Sequence, residues 1–193
     1  MIGASPSKSI STSPSPSLSD LPPTNTSPLQ FSMKYFHACA VYSSKVQCVG
    51  RNRFGEVSDS SFEAVTTPVL FTFRDENSVS PIKIVTGRFH TCVLMDDKSV
   101  WCKGSNRNGQ LGKKASSDPS FTPVQVEKDG VVITNAVDIE AGYDHNYIKL
   151  DDDSLYCFGF NYYNQLGFNE ETNVKMMALS DQATCIVKNS APN

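Results

Sequence analysis

No apolar run in this chain approaches the roughly 20 residues a membrane-crossing helix needs; the longest lies around VLFTF at 69–73. Charge is also scarce. Charged residues make up 19% of the 193 positions and the formal net charge is −3, so the basic footprint of a nucleic-acid binder is missing. Neither nucleic acid nor a membrane is therefore expected as a partner. GxSxG, P-loop, HExxH and dinucleotide-binding motifs are all absent, which leaves an enzymatic reading, and any cofactor, without support. No stretch of about 10–12 residues carries a helical period, which argues against helical architectures. The opening MIGASPSKSI has no continuous apolar segment of the kind a secretory leader carries.

What is there changes near residue 30. Residues 1–29 are dominated by Ser, Pro and Thr. Such a stretch has little apolar surface to bury, and its prolines lack backbone donors, so 1–33 is expected to be a disordered linker. Within it, Asn25-Thr26-Ser27 fits a glycosylation sequon, relevant only to an exported chain.

Beyond the linker the chain repeats itself. His37-Ala38-Cys39 returns as His90-Thr91-Cys92 and as His145-Asn146-Tyr147, at steps of 53 and 55 residues, with Ala183-Thr184-Cys185 as a degenerate fourth copy. VQCVGRN (46–52) returns as VWCKGSN (100–106) and LYCFGFN (155–161). Each is followed by a turn: RFGEV (53–57), RNGQLG (107–112) and YYNQLG (162–167). Thr67-Pro68-Val69 returns as Thr122-Pro123-Val124, and Gly87 as Gly142. Each unit reads as short strands, IKIVT, HTCVLM, VWCKG and TPVQV, with Gly and Asn crowding the turns between them. Four short strands in a period of about 40–55 residues describe a propeller blade.

These units resemble the repeats of the regulator of chromosome condensation family, whose pattern runs from a glycine through His-Thr-Cys-Ala-Leu and Val-Trp-Cys/Ala-Trp-Gly strands to Asn and Gly-Gln-Leu-Gly. The likeness is strongest over 82–126 and good over 136–167. Over 36–69, FGEV replaces the Gly-Gln-Leu-Gly turn and Lys34 stands where the glycine should be. The third unit is shortened, its turn and next strand squeezed into GFNEETNVKMMALS. The expected fold is all-β: a partial β-propeller over 34–193, with blades near 34–81, 82–135 and 136–176 and a fourth started at 177–193. The family's propellers usually have seven blades. Cys185 stands at a first-cysteine position with no partner strand after it, so the expectation is a fragment of a larger propeller, or a ring completed by self-association.

Hairpin geometry places the cysteines. A two-residue loop at Ser43-Ser44 sets Cys39 opposite Cys48, and a three-residue loop at Asp96–Lys98 sets Cys92 opposite Cys102. Directly opposed residues lie within reach of a disulfide. Both pairs are candidate bridges in an oxidising compartment; buried free thiols are the alternative. In the third unit Tyr147 faces Cys157, so no bridge forms there. The cysteine spacings do not make a zinc knuckle, and no metal is expected. His37, His90 and His145 recur at one repeat position, so blade packing explains them better than catalysis, with each imidazole bonding a neighbouring turn. Gly104, Gly159, Gly112 and Gly167, with Asn106 and Asn161, read as turn residues. So do Asp96, Asp97 and Asp151–Asp153, on the hairpin loops. Trp101, Tyr156, Phe158 and Phe160 read as core or inter-blade aromatics.

The resemblance implies a non-enzymatic scaffold that binds a protein partner through blade loops on one face; the variable loops are 57–66, 74–81, 113–121 and 127–135. Two alternatives stay open. One is guanine-nucleotide exchange on a small GTPase, which the family's founding member performs on chromatin; residues 1–29 hold one lysine and no arginine, which weakens it. The other is a secreted binding or inhibitory propeller with an upstream leader, which the paired cysteines and Ser/Pro stretch fit.

Overall fold

The computed structural model describes residues 30–42, 44–58, 61–72, 79–167 and 171–189. The sequon, all of the Ser/Pro stretch 1–29, Ser43, residues 59–60 of one variable loop and 74–78 of another lie outside these. The described chain is all β. Strands β1 (Gln30–Lys34), β2 (His37–Tyr42), β3 (Lys45–Gly50) and β4 (Val65–Leu70) form one antiparallel four-stranded sheet in chain order. Strands β5 (Pro81–Thr86), β6 (His90–Met95), β7 (Val100–Gly104) and β8 (Ser120–Gln125) repeat it. A short ribbon of β9 (Glu127–Lys128) and β10 (Val131–Val132) follows. The third sheet holds β11 (Ala136–Ala141), β12 (His145–Leu150) and β13 (Leu155–Gly159), and the last pairs β14 (Val174–Leu179) with β15 (Thr184–Lys188). This is a partial propeller of three blades and the first two strands of a fourth.

Two boundaries differ from the sequence reading. Residues 30–33 belong to β1, not to the linker: Gln30 to Met33 pair with Val41 to Ala38. A short strand whose apolar residues, Phe31 and Met33, are exposed adjoins the Ser/Pro stretch, and its partner is specified only further along the chain. VKMMAL is not the fourth strand of the third blade. It opens the fourth blade at Val174, paired through Leu179↔Thr184, so that blade begins at 174 and not at 177.

Each sheet has two apolar faces, and neither is buried except against another blade. Cys39, Val46, Cys48, Val57 and Phe71 of the first blade pack against Ile84, Val93, Met95 and Trp101 of the second. Val85, Cys92, Leu94, Val100 and Cys102 of the second meet Ile139, Ala141, Ile148 and Phe158 of the third. Tyr147, Leu155 and Cys157 of the third meet Met177, Leu179 and Ile186 of the fourth. The first-cysteine position always faces the next blade. There Cys39 is bonded to Cys48 and Cys92 to Cys102, with Cα atoms 4.1 Å apart in each pair. The registers Cys39↔Cys48 and Cys92↔Cys102 match the hairpin geometry expected of the two loops. In the third blade Tyr147 sits opposite Cys157, whose thiol burial pushes up to about 12.

Polar side chains stitch the same seams. His37 Nε2 bonds Thr91 Oγ1 at 2.9 Å, and Thr91 Oγ1 donates back to the Glu56 carbonyl at 2.8 Å. One blade on, His90 Nε2 bonds Asn146 Oδ1 at 3.0 Å, and Asn146 Nδ2 donates to the Gln110 carbonyl at 2.8 Å. At the last seam Thr184 Oγ1 donates to the Gln165 carbonyl at 3.2 Å, while His145 Nε2 has no partner among the described residues. His37 and His90 therefore bond the next blade's second strand, which in turn holds the turn. The turn is built on an asparagine: Asn52 Oδ1 accepts from Val57 N and Ser58 N, Asn106 Oδ1 from Leu111 N, and Asn161 Oδ1 from Leu166 N. Gln110 Oε1 and Gln165 Oε1 accept from Asn108 N and Tyr163 N; in the first blade Glu56 Oε2 takes the same bond from Phe54 N.

Two glycine positions are forced by space. Gly104 and Gly159 hold φ of +115° and +107°, and a Cβ there would lie 2.4 and 2.5 Å from the carbonyl oxygens of Phe89 and Asp144. At Gly87 and Gly142 a Cβ would strike the His90 and His145 rings at 2.1 Å. Gly112 would run into Val126 at 2.4 Å, whereas Gly167 meets nothing closer than 3.1 Å and is the least constrained of the set.

Two measurements check this account. Alkylation of the denatured, unreduced protein should label two thiols, Cys157 and Cys185, and all six after reduction. Six labelled thiols before reduction would refute the bridges. The second concerns Glu56, whose carboxyl burial raises above its ordinary range, with Oε1 left unpaired. A raised folded-state value favours the acid form, so the site loses stability as pH rises through it. Glu56→Gln, the residue of the sister turns, should raise stability at pH 7 by about 1–3 kcal/mol, and the gain should shrink toward acid pH. The histidines run the other way. Burial lowers His37 to about 3 and His90 and His145 to about 4. Their contribution is complete above the free-imidazole value of 6.5 and is lost as pH falls toward 4. Thermal melts from pH 4 to 8 on both proteins separate the two effects.

Candidate functional site

The up-and-down order of strands sorts the loops onto two ends. The turns between first and second strands (35–36, 87–89, 142–144, 180–183) and between third and fourth strands (51–64, 105–119) share one end, here the corner end. The second-to-third hairpins (Ser44, 96–99, 151–154) and the blade-to-blade connections (126–135) share the other, the hairpin end. The variable loops therefore do not share one face: the described part of 57–66, and 113–121, lie on the corner end, 127–135 on the hairpin end. The described part of 74–81 also lies at the hairpin end. Alternation of strand direction makes this unavoidable.

The hairpin end is aspartate-rich and mostly local in its bonding, except at Asp151, which accepts from Lys98 Nζ of the preceding blade at 2.9 Å and from Asn135 Nδ2 at 3.1 Å. Asp97 Oδ1 accepts from Ser99 N and Oγ, Asp152 Oδ1 from Ser154 N, and Asp96 Oδ1 from Ser80 N. Lys98 and Asp153 hold φ of 65° and 62°, the left-handed third position of a three-residue hairpin loop. These carboxylates serve turns, as the sequence indicated. Among the described residues no group of three or more His, Cys, Asp or Glu is placed to hold a metal ion.

The corner end is different. The Arg51 guanidinium lies 4.8 Å from the centroids of both Phe36 and Phe89. Arg88 lies 4.3 Å from Phe89 and 4.4 Å from Tyr143. Tyr143 meets Tyr35 edge-on at 4.8 Å, and Tyr35 neighbours Phe36 at 6.3 Å. The contacts close a ring of two arginine and four aromatic side chains drawn from three blades. A branch leaves it at Phe89, which packs on Phe54 at 4.8 Å; Arg107 and Arg53 sit over that ring at 5.1 and 5.9 Å. Four of the chain's five arginines are thus on one end, and the fifth, Arg74, lies outside the described residues. Among the described residues none of the four forms an ion pair with a carboxylate.

Lys34 lies in the same region. Its backbone occupies the repeat position of Gly87 and Gly142, at the end of β1. Its Nζ reaches the carbonyls of Ala141 and, at 3.5 Å, Leu179, the last residues of the inner strands of the third and fourth blades. Desolvation lowers its pKa, against the pull of Glu140 and Asp181. Tyr35 is raised by burial and then by its bond to Asp181. Asp144 is raised by burial, with Arg88 and a 3.3 Å bond from Gln110 Nε2 acting against that rise. A shallow hollow beside this mouth is lined by Tyr143, Ser180, Asp181, Gln182 and Ala183.

Further out, Phe160, Tyr162 and Tyr163 form an aromatic group, with Tyr162 on Tyr163 at 5.1 Å and Tyr162 80% exposed. Phe160 is therefore part of a surface cluster, not the core, because it follows the last residue of β13 and leaves the sheet. Trp101, Tyr156 and Phe158 do lie at blade seams. The corner-end ring was not found from the sequence. Its turn members do occupy matching positions, Tyr35, Arg88 and Tyr143 two residues before the repeat histidine and Phe36 and Phe89 one before it, but the residue type changes from repeat to repeat, so no motif marks them.

The regulator of chromosome condensation (RCC1) repeat profile matches residues 82–110 and 136–165, and a second profile of the same description matches 97–148. Protein RCC2 of Mus musculus is 29% identical over 140 residues, which is 69% of this chain and 26% of that protein. In fold, the chain is similar to human WBSCR16, with a TM-score of 0.69 at 20% identity over 85% of this chain and 47% of that one. It is also similar to Prp20p of Saccharomyces cerevisiae, at 0.67 and 19% over 83% and 44%. The chain spans about a quarter of the RCC2 relative and under half of these propellers. With the repeated His-x-Cys hairpins, the histidine stitch at two successive seams and the profile matches on the second and third blades, the chain belongs to the regulator of chromosome condensation repeat family.

Proposed function

We propose that this chain is a non-enzymatic protein-interaction scaffold and that the corner end is its recognition face. One observation carries the reading: arginine and aromatic side chains from three blades gather on that end, with Phe36, Phe62, Tyr162 and Tyr163 more than half exposed. Arginine, tyrosine and other aromatics are the side chains enriched at protein interfaces and their hot spots. The imidazoles do not offer a rival chemistry, since all three are buried in blade seams and held neutral. A rigid frame of stitched blades beneath adaptable loops suits recognition.

A second reading has support from likeness of fold. The solved structure of Prp20p is described together with its binding to Gsp1p and histones. Exchange on a GTPase of that type remains the alternative for the whole protein of which such a propeller is part.

A photo-crosslinking residue placed at Tyr162 on the corner end should give one discrete protein adduct in cells, and the same residue at Asp152 on the hairpin end should not. Equal labelling from both ends would remove the corner end as the recognition face. Acceleration of nucleotide release from a Gsp1p-type GTPase would favour the exchange reading instead.

A further inference from the structure

The corner end holds like charges together. Arg53 and Arg107 come from successive blades and both sit over one ring, Phe54. Phe54 touches Phe89, which carries Arg51 on one contact and Arg88 on another. Four guanidinium groups are thereby linked through two rings in mutual contact, with no carboxylate ion pair among the described residues. Packing cations into one patch costs free energy through mutual repulsion, and the ring faces offset only part of it. Stacking orients a guanidinium and leaves its N–H edge free, and that edge matches a carboxylate in two-point geometry. The nearest acids are otherwise engaged. Asp144 accepts from Gln110, and Asp181 is bonded by Tyr35. Glu56, two residues from Phe54, is buried and accepts from Phe54 N, while the Arg53 and Arg107 side chains are exposed.

We infer that the Arg53–Phe54–Arg107 branch and the adjoining Arg51 and Arg88 form a docking strip for an acidic, carboxylate-rich segment of a partner protein. This rests on the corner end being the recognition face and adds the chemistry of what it recognises. Charge complementarity selects the occupant. An acidic peptide supplies carboxylates to the guanidinium edges and apolar side chains to Phe36 and Phe54. A nucleic acid fits less well, because the chain's net charge is −3 overall and more negative outside this strip, where a long phosphate array would be repelled.

The test uses the full chain and a fluorescein-labelled peptide of alternating Glu and Leu with a single Tyr, followed by fluorescence anisotropy. Controls are the same peptide with Gln for Glu, and a poly-dT oligonucleotide of equal charge. The Glu peptide should bind, weaken steeply with added salt, and bind Arg53→Glu/Arg107→Glu at least about ten-fold more weakly. Both positions are exposed, so the double variant should keep the wild-type melting temperature. Lys98→Glu, the same charge reversal on the hairpin end, should leave binding unchanged. The inference is overturned if the Glu peptide fails to bind, if the Gln peptide binds equally, if the double variant binds as wild type, or if poly-dT binds more tightly. An intact Tyr162 adduct alongside a failed Glu peptide would discard the acidic partner and keep the recognition face. Loss of the adduct as well would discard both.

Discussion

A blade of this protein cannot be stable alone, and the seam between blades is the constraint that the rest of the structure obeys. Both faces of a four-stranded sheet are apolar, and only another sheet covers them. The first two seams combine three devices, and the third has all but the histidine bond among the described residues. An apolar layer supplies the driving force. A cross-strand cysteine pair, or Tyr147 over Cys157, fills the centre of the face. A histidine bonds the next blade's Thr or Asn, which bonds back to the preceding turn. The polar chain satisfies buried donors and sets the angular register of neighbouring blades, which apolar packing alone would leave free to slide.

The first blade departs from this pattern in two places. Glu56 replaces the glutamine of its sisters, keeping the bond to Phe54 N but burying a carboxyl whose second oxygen has no partner. Lys34 replaces the glycine that elsewhere lets the histidine ring approach. It sends its ammonium to the carbonyl ends of the third and fourth inner strands. The cation meets strand-end carbonyls, and it holds the first blade to blades with which it shares no sheet seam. Together with Tyr35 on Tyr143 and Tyr35 on Asp181, it ties the corner end into one surface. The arginine–aromatic ring rests on that tie.

Much of the fold was legible along the chain. The hairpin index placed Cys39 on Cys48 and Cys92 on Cys102, because an antiparallel register follows from loop length alone. The glycines at 104 and 159 and the asparagines at 106 and 161 were legible because each answers a local demand that recurs in every repeat. The misreadings share a cause. Residues 30–33 look like linker because an inner strand needs only its partner's backbone, and VKMMAL looks like a fourth strand because strand identity depends on which neighbour it meets. The partner of His37 was not legible either, since Thr91 lies 54 residues away and on another blade.

The sequence by itself determined the repeat, the all-β class, the pairing of cysteines and the turn chemistry, since these depend on contacts within one hairpin. Only the tertiary structure decided which loops share an end, that Lys34 spans from the first blade to the third and fourth, and that four arginines scattered from 51 to 107 meet on a few rings. Those facts depend on the direction in which strands alternate and on the rotation from blade to blade, and neither is written in any single repeat.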